Sequence, residues 1–400
     1  MNQLKLIFTF SLLLSITLTA QTESDTISKK NFWENKNIIV GYQNGYVFST
    51  NDFLRGRNAQ ATKLDEYQDF YLKISKQTNG EKLWEQIYNY PEWGFGTYVA
   101  DFHNPQEIGT PIALFGFLNA PFVRWDKGAF NYELSFGATA NWKSFNPITN
   151  QYNNAIGAGQ SFFIDAGLNL DFELTKNIDL VTGFSLTHFS NGALKIPNSG
   201  INSIAPKVSL RYNLYEKPEF IKQTLPKFDP RNELEFSAFV GAKNLVFVDS
   251  VSSDIIEQYE GLLYPVFGFT TCFNRQVSRK SKFGLGINFV YNSTVNAEEA
   301  AKIATNTNDF DPVVGPLADK IQISIFPSYE LVVNRLSLIL QPAVYLYRKK
   351  TLNQSPAFHQ RIGLKYYFDN DIFIGMTLRD YAFHVSDFIE WRIGYRITGK

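Results

Sequence analysis

The chain has 400 residues, and its 38 Lys plus Arg balance its 38 Asp plus Glu, so the formal net charge is zero. This balance argues against a nucleic-acid-binding protein, which usually presents a basic field. Aromatic residues make up 16% of the chain, with 36 Phe and 21 Tyr, and such a composition favours strands over helices. A lone cysteine, Cys272, excludes an intrachain disulfide framework and a cysteine-based metal cluster.

Residues 1–20 are predicted to be a secretory signal peptide. Lys5 supplies a positive charge, residues 6–18 form an apolar run dotted with Ser and Thr, and small residues precede Gln21. The run is too short for a stable membrane helix, and no later stretch reaches about 18 apolar residues. We interpret residues 21–36 as an N-terminal lead. A secreted chain of this composition is either a soluble protein or a membrane barrel, and the strand pattern decides between them.

From about residue 37 onward, apolar and polar residues alternate with a period of two over much of the sequence. Leu338 and Leu340 share one face of a segment whose other face carries Ser337 and Gln341. Segments of about ten residues with one apolar and one mixed face are typical of transmembrane β-barrels. The predicted strands are residues 37–50, 67–77, 93–102, 109–122, 129–144, 158–174, 178–191, 201–214, 232–244, 262–277, 281–292, 321–333, 335–348, 356–368, 371–380 and 387–398.

The connections between these strands differ in length. The tight turns are 175–177, 278–280, 333–334 and 369–370. The long connections are 51–66, 145–157, 192–200, 245–260 and 293–320. Short periplasmic turns combined with long outer loops predict an all-β fold, an antiparallel transmembrane β-barrel of about 12–16 strands over residues 37–400. With a periplasmic N-terminus, the connection 192–200 lies on the outer side of the membrane.

Three segments do not fit the strand pattern. Residues 81–92 are predicted to form a kinked strand or a short helix. Residues 215–231 contain three prolines on the side where turns should be short, so we expect a structured linker there. Residues 297–304 have helical spacing within an outer loop.

His188 and Ser190 are two residues apart on the predicted strand 178–191, so their side chains point to the same face as Leu186. Asn202 lies on the apolar face of the next strand, which a hairpin connects to the first. The three polar side chains are therefore expected to cluster at the outer rim and to face the bilayer. Polar groups that face lipid lose hydration, which favours a functional reason for this placement.

A serine beside a histidine, with a third polar group to orient the imidazole, is the arrangement of nucleophilic ester cleavage. The histidine takes the proton of the serine, and the resulting alkoxide attacks the acyl carbon. A His-x-Ser pair alone is usually structural, and Pro197-Asn198-Ser199-Gly200 alone is ordinary turn sequence. The geometry by itself therefore leaves both interpretations open.

A longer motif surrounds this pair. The run His-x-Ser-Asn-Gly-Ala-x-x-x-Pro-Asn-x-Gly-x-Asn, from His188 to Asn202, resembles the signature of the lipid A 3-O-deacylase and acyloxyacyl hydrolase family of outer-membrane esterases. Upstream residues resemble the bacteroidete-type branch of that family: Tyr90-Pro91, Gly94, the segments 104–109 and 150–157, Pro121 and Arg124. The resemblance covers residues 35–215.

The resemblance implies an esterase of the Gram-negative outer membrane that cleaves lipid A, the acylated anchor of lipopolysaccharide, and releases a fatty acid without a cofactor. His188 would be the general base and Ser190 the nucleophile. Asn198 would help to stabilise the oxyanion, and Asn191 would support the site. The third catalytic position falls at Asn202, where the best-known members carry Glu. An amide oxygen can orient the imidazole but cannot supply a negative charge.

The other candidate residues favour structural roles. His103 is expected at a loop start, and His359 and His384 near strand ends at the rim. The spacing of His, Asp and Glu suggests no metal site. Lys195, in the outer loop, is interpreted as solvated rather than as a ligand for a lipid A phosphate.

Two other functions remain open from the sequence. One is a non-catalytic outer-membrane barrel, either a porin or a structural protein, motivated by Asn202 and by the strands after residue 215. The other is a soluble secreted β-protein with lipase activity.

Overall fold

The computed structural model describes residues 33–245, 253–307, 313–351, 356–381 and 385–399. Within these ranges, the chain from Asn35 onward forms one compact unit. The predicted signal peptide, most of the predicted N-terminal lead and His384 lie outside the described residues.

Sixteen antiparallel strands dominate the described structure, and each overlaps one of the predicted segments. The first eight are β1 Lys36–Val47, β2 Glu66–Gln77, β3 Glu92–Asp101, β4 Gly109–Trp125, β5 Gly128–Trp142, β6 Ser161–Glu173, β7 Ile178–Ser190 and β8 Ile201–Asn213. The second eight are β9 Arg231–Lys243, β10 Tyr264–Gln276, β11 Ser281–Asn292, β12 Ile321–Val333, β13 Leu336–Tyr347, β14 Phe358–Tyr367, β15 Ile372–Tyr381 and β16 Val385–Thr398. The prediction of an all-β antiparallel barrel fold is confirmed.

The strands close into two barrels of eight, whereas the sequence led us to expect one barrel over residues 37–400. In the first barrel β8 pairs with β1, with Leu210 opposite Val40. In the second, β16 pairs with β9, with Tyr395 opposite Phe236. Alternation along a strand predicts its two faces but not which distant strand completes the sheet, because closure depends on pairing between residues far apart in sequence.

The outward faces of both barrels are apolar and their interiors are filled. Outward residues such as Phe95 and Leu114 are each 69% exposed, as expected for a surface that contacts lipid. An eight-stranded barrel is just wide enough for side chains to fill it. Buried ion pairs help to fill both interiors, including Lys73 with Glu133 in the first barrel and Arg361 with Glu390 in the second. The described interiors therefore give no support to the porin hypothesis.

Four helices lie in the connections: α1 Leu83–Ile87, α2 Ser253–Tyr259, α3 Thr294–Thr307 and α4 Leu317–Lys320. Helix α1 falls within the segment expected to be a kinked strand or a short helix, and α3 contains the segment predicted from helical spacing. None of these helices combines the length and apolar character that a membrane-crossing helix needs.

The proline-rich segment 214–230 connects the two barrels. On the first barrel, the ring of Phe220 stacks on Tyr90 with centroids 4.3 Å apart, and Ile221 N donates to Asn79 O at 2.8 Å. On the second barrel, Arg279 Nη2 donates to Pro226 O at 2.5 Å. The expected structured linker is thus confirmed, and its role is to join the two barrels.

Candidate active site

The candidate site lies where β7 ends and β8 begins. His188 and Asn202 are direct cross-strand partners in this hairpin. His188 shares its face of β7 with Phe184 and Leu186, which are 60% and 53% exposed. Phe189, on the opposite face, is fully buried inside the barrel. His188 and Asn202 therefore lie together on the outward side of the first barrel, near its outer end.

The imidazole of His188 is oriented by the amide of Asn202. Nδ1 of His188 lies 2.6 Å from Oδ1 of Asn202. An amide oxygen only accepts hydrogen bonds, so Nδ1 carries the proton and Nε2 is left with a free lone pair. This tautomer is the one that a general base requires, and it is reached without a carboxylate.

Ser190 is held among hydrogen-bond donors of the loop that follows β7. Its Oγ accepts from Asn198 Nδ2 at 2.8 Å and from the backbone N–H of Gly192 at 3.1 Å. The loop covers the residue, which is only 5% exposed although it lies on the same strand face as His188. In this conformation no hydrogen bond joins Ser190 to His188, both of which lie in the described part of the chain.

The side-chain oxygen of Asn198 fixes the orientation of its amide group. Asn198 Oδ1 accepts from the backbone N–H of Asn191 at 3.0 Å, so its Nδ2 must face Ser190. The side chain of Asn191 crosses the same loop and donates to Lys195 O at 2.8 Å. Asn191 and Asn198 therefore fix the conformation of the loop together. The side chain of Asn191 binds the backbone of Lys195, and the side chain of Asn198 binds both the backbone of Asn191 and the hydroxyl of Ser190.

Gly200 allows the loop to return close to His188 and Ser190. Its φ is +70°, in the left-handed region that glycine adopts without steric cost. A Cβ at this position would lie 3.1 Å from His188 Cε1, 3.0 Å from Phe189 O and 3.7 Å from Ser190 Cβ. A side chain at this position would therefore crowd the imidazole of His188 and the backbone of Phe189, whereas its contact with Ser190 would be an ordinary one.

A second loop of the first barrel, residues 143–160, supports the loop that joins β7 to β8 (residues 191–200, the site loop). Its backbone accepts hydrogen bonds from the site loop, from Ser199 N to Asn154 O at 3.0 Å and from Gly200 N to Ala155 O at 2.9 Å. Asn153 Oδ1 in turn accepts from the N–H groups of Ala155 and Ile156. Residues of the segment 150–157 thus stabilise the loop through hydrogen bonds to its backbone.

The remaining sequence candidates lie elsewhere. His103 is beside Asp101, with 3.6 Å between Nδ1 and Oδ2. His359 lies near the start of β14, as expected, but its side chain is fully buried inside the second barrel because its position on the strand faces inward. Cys272 is also buried in the second barrel, and Lys195 is exposed. Within the described ranges, no three His, Cys, Asp or Glu residues form a group that could hold a metal ion.

Two features of the site could not be read from the sequence: a backbone hydrogen-bond donor and a contact with the second barrel. The backbone N–H of Gly192 carries no side-chain signal, although the glycine itself is part of the motif. The second barrel also reaches the site loop, where Asn244 Nδ2 donates to Ala193 O at 2.6 Å. A contact between residues 51 positions apart, in loops that follow strands of two separate sheets, has no local pattern that would reveal it.

Two family models match the chain. One, described as lipid A 3-O-deacylase (PagL), matches residues 70–212. The other, described as the C-terminal domain of acyloxyacyl hydrolase, matches residues 232–399. The first range extends from within β2 to the end of β8, and the second covers the strands β9 to β16. No curated protein matches the sequence.

Solved structures of low sequence identity also match. The crystal structure of the outer membrane enzyme PagL is 18% identical, covers 43% of this chain and 97% of its own, and gives a TM-score of 0.27. OccK1 from Pseudomonas aeruginosa is 9% identical, covers 91% of this chain and 98% of its own, and gives a TM-score of 0.24. The TodX deltaS2S3 mutant, a monoaromatic hydrocarbon channel, is 10% identical, covers 91% of this chain and 90% of its own, and gives a TM-score of 0.17.

Proposed function

The chain belongs to the lipid A 3-O-deacylase and acyloxyacyl hydrolase family of ester hydrolases, and from this premise we propose that it cleaves an acyl ester of lipid A through Ser190 and His188. The observation that carries the proposal is the arrangement around Ser190. Two N–H donors converge on its Oγ, and a histidine with a free Nε2 lies on the same outward strand face. Acyl chains dissolved in the outer leaflet would reach such a face directly.

The reaction would proceed through an acyl-serine. Ser190 Oγ attacks the ester carbonyl carbon while its proton passes to His188 Nε2, which requires rotation of the hydroxyl toward the imidazole when substrate binds. The tetrahedral intermediate then loses the alkoxide of the ester, which takes that proton and leaves as the alcohol. Water attacks the acyl-serine with His188 again as base, and the fatty acid departs with Ser190 restored.

Gly192 N–H and Asn198 Nδ2 would stabilise the oxyanion of each tetrahedral intermediate. Both groups are already fixed by the loop, so they would need little reorganisation during the reaction. The negative oxygen of the intermediate is bonded to the same carbon as Ser190 Oγ and would therefore form within reach of these donors. A single donor of this kind typically lowers the barrier by about 3 kcal/mol.

The proposed location is the outer membrane, with residues 1–20 removed as a signal peptide. The apolar outward faces of both barrels support this, since a soluble β-protein would expose a large aggregation-prone surface. The protein is expected to be extracted from cells only with detergent. Recovery in the soluble periplasmic fraction would instead favour a soluble lipase.

The function can be tested on the wild-type protein. Lipid A from cells that make the protein is expected to lose the mass of one acyl chain in mass spectrometry, compared with cells that carry an empty vector. A fluorophosphonate probe in detergent is expected to label the peptide that contains Ser190. An unchanged acyl pattern without labelling of Ser190 would contradict the proposal, and solute flux in a liposome-swelling assay would favour the porin instead.

Asn202 provides a prediction about the imidazole. Asn202→Ala removes the acceptor for Nδ1–H, so kcat is expected to fall about 10- to 100-fold through misorientation of the ring. Asn202→Asp keeps an oxygen acceptor of the same size and adds a negative charge beside the imidazolium, so kcat is expected to equal or exceed that of the wild type. Steady-state hydrolysis of purified lipid A measures both. Equal losses in the two variants would show that the oxygen of Asn202 does not orient His188.

A further inference from the structure

The outward face of the second barrel is covered at one place near its outer end. Ile389 in β16 lies on the same strand face as Trp391 and Ile393, which are 44% and 58% exposed. Ile389 itself is only 2% exposed. A residue that would otherwise face the surroundings of the barrel is therefore buried by another part of the chain.

The covering part is the loop that holds Ser190. A Cβ built on Gly192 would lie 2.5 Å from Ile389 Cδ1 and 3.6 Å from Leu378 Cδ1. Leu378 is the cross-strand partner of Ile389, so the two side chains form one contact surface. One residue further along, Ala193 O accepts the 2.6 Å hydrogen bond from Asn244, which follows β9. The second barrel thus holds this loop by one polar and one apolar contact.

The loop conformation at this point depends on such contacts. Gly192 and Ala193 both have positive φ, +63° and +61°. Alanine does not favour the left-handed region, so the turn needs tertiary contacts to persist. The N–H of Gly192 donates to Ser190 Oγ from the middle of this turn.

We propose that the second barrel positions the active-site loop, and that Asn244, Ile389 and Leu378 are positioning residues for the Gly192 N–H. The inference depends on the proposed function, because it assigns these residues to the same esterase site. Hydrolysis by the first barrel then requires the second, although none of the three residues touches the reacting atoms. This gives a reason why the two barrels occur in one chain.

The test compares single variants of the full-length protein. Asn244→Asp removes the donor to Ala193 O without a change of size, and Ile389→Ala removes the apolar support. Ile393→Ala is the matched control, since Ile393 lies four residues further on the same strand face and is exposed. The readouts are kcat and KM for lipid A hydrolysis, the rate of fluorophosphonate labelling at Ser190, and heat-modifiable migration in electrophoresis as evidence of a folded barrel.

We expect kcat and the labelling rate to fall about 10- to 100-fold in Asn244→Asp and Ile389→Ala, with KM changed by less than about threefold. Ile393→Ala is expected to behave as the wild type. If Ile389→Ala fails to fold, Ile389→Val removes only the methyl group nearest Gly192 and is expected to show a smaller loss of the same kind. Wild-type rates in folded Asn244→Asp and Ile389 variants would overturn the inference while leaving labelling of Ser190, and hence the proposed function, intact.

A double-mutant cycle separates direct contact from a general structural effect. Gly192→Ala places a methyl group against Ile389 and is expected to be severely impaired. Ile389→Ala makes room for that methyl group, so the loss in the double variant is expected to be smaller than the product of the two single losses. Independent effects of the two substitutions would contradict a contact between the second barrel and the nucleophile loop.

Discussion

Replacement of Ser190 by alanine is expected to lower the rate of lipid A deacylation by about 10⁴-fold or more, because it removes the hydroxyl on which the proposed acyl intermediate forms. The barrel should remain folded, since the hydroxyl of Ser190 accepts hydrogen bonds from a loop and fills little space. The measurement is mass spectrometry of lipid A from cells that make the variant, together with single-turnover hydrolysis by the purified protein.

Ser199→Ala is the matched control for this experiment. Ser199 lies in the same loop but its side chain is exposed, so its replacement is expected to leave the rate of deacylation unchanged. Fluorophosphonate labelling should disappear in Ser190→Ala and persist in Ser199→Ala. Deacylation by Ser190→Ala at the wild-type rate would exclude Ser190 as the nucleophile.

Replacement of His188 by alanine is expected to cause a loss of similar size, on the order of 10⁴-fold in kcat. In the proposed mechanism the imidazole is the base that takes the proton of Ser190 and returns it to the leaving alcohol, and its Nδ1 lies 2.6 Å from Oδ1 of Asn202. The variant is measured by the rate of hydrolysis and by the rate of fluorophosphonate labelling, which also requires an activated Ser190. His103→Ala is the control, because His103 is an exposed histidine beside Asp101.

The two substitutions together distinguish a catalytic pair from two independent effects. If Ser190 and His188 act as a unit, the double variant should be no slower than either single variant, because removal of one already disables the other. A further large loss in the double variant would indicate that His188 acts separately from the nucleophile, for example in binding the lipid.

Much of the fold could be predicted from local sequence. A side-chain period of two is a property of each strand by itself, so all sixteen strands could be found without knowledge of their partners. The helical spacing of residues 297–304 is likewise local, and α3 forms there. The proximity of His188 and Asn202 could also be predicted, since a hairpin places the ends of the two strands it joins side by side, whereas their direct cross-strand pairing was decided by the structure.

The sequence by itself thus determined the strands, their two faces and the position of the histidine, serine and amide at the end of one hairpin. Only the tertiary structure decided that β8 returns to β1, so that two barrels of eight replace one larger barrel. It also decided that Gly192 N–H reaches Ser190 and that Ile389 and Asn244 hold the loop that presents it. These features depend on backbone groups and on contacts between residues far apart in the chain, and neither leaves a periodic signal in the sequence.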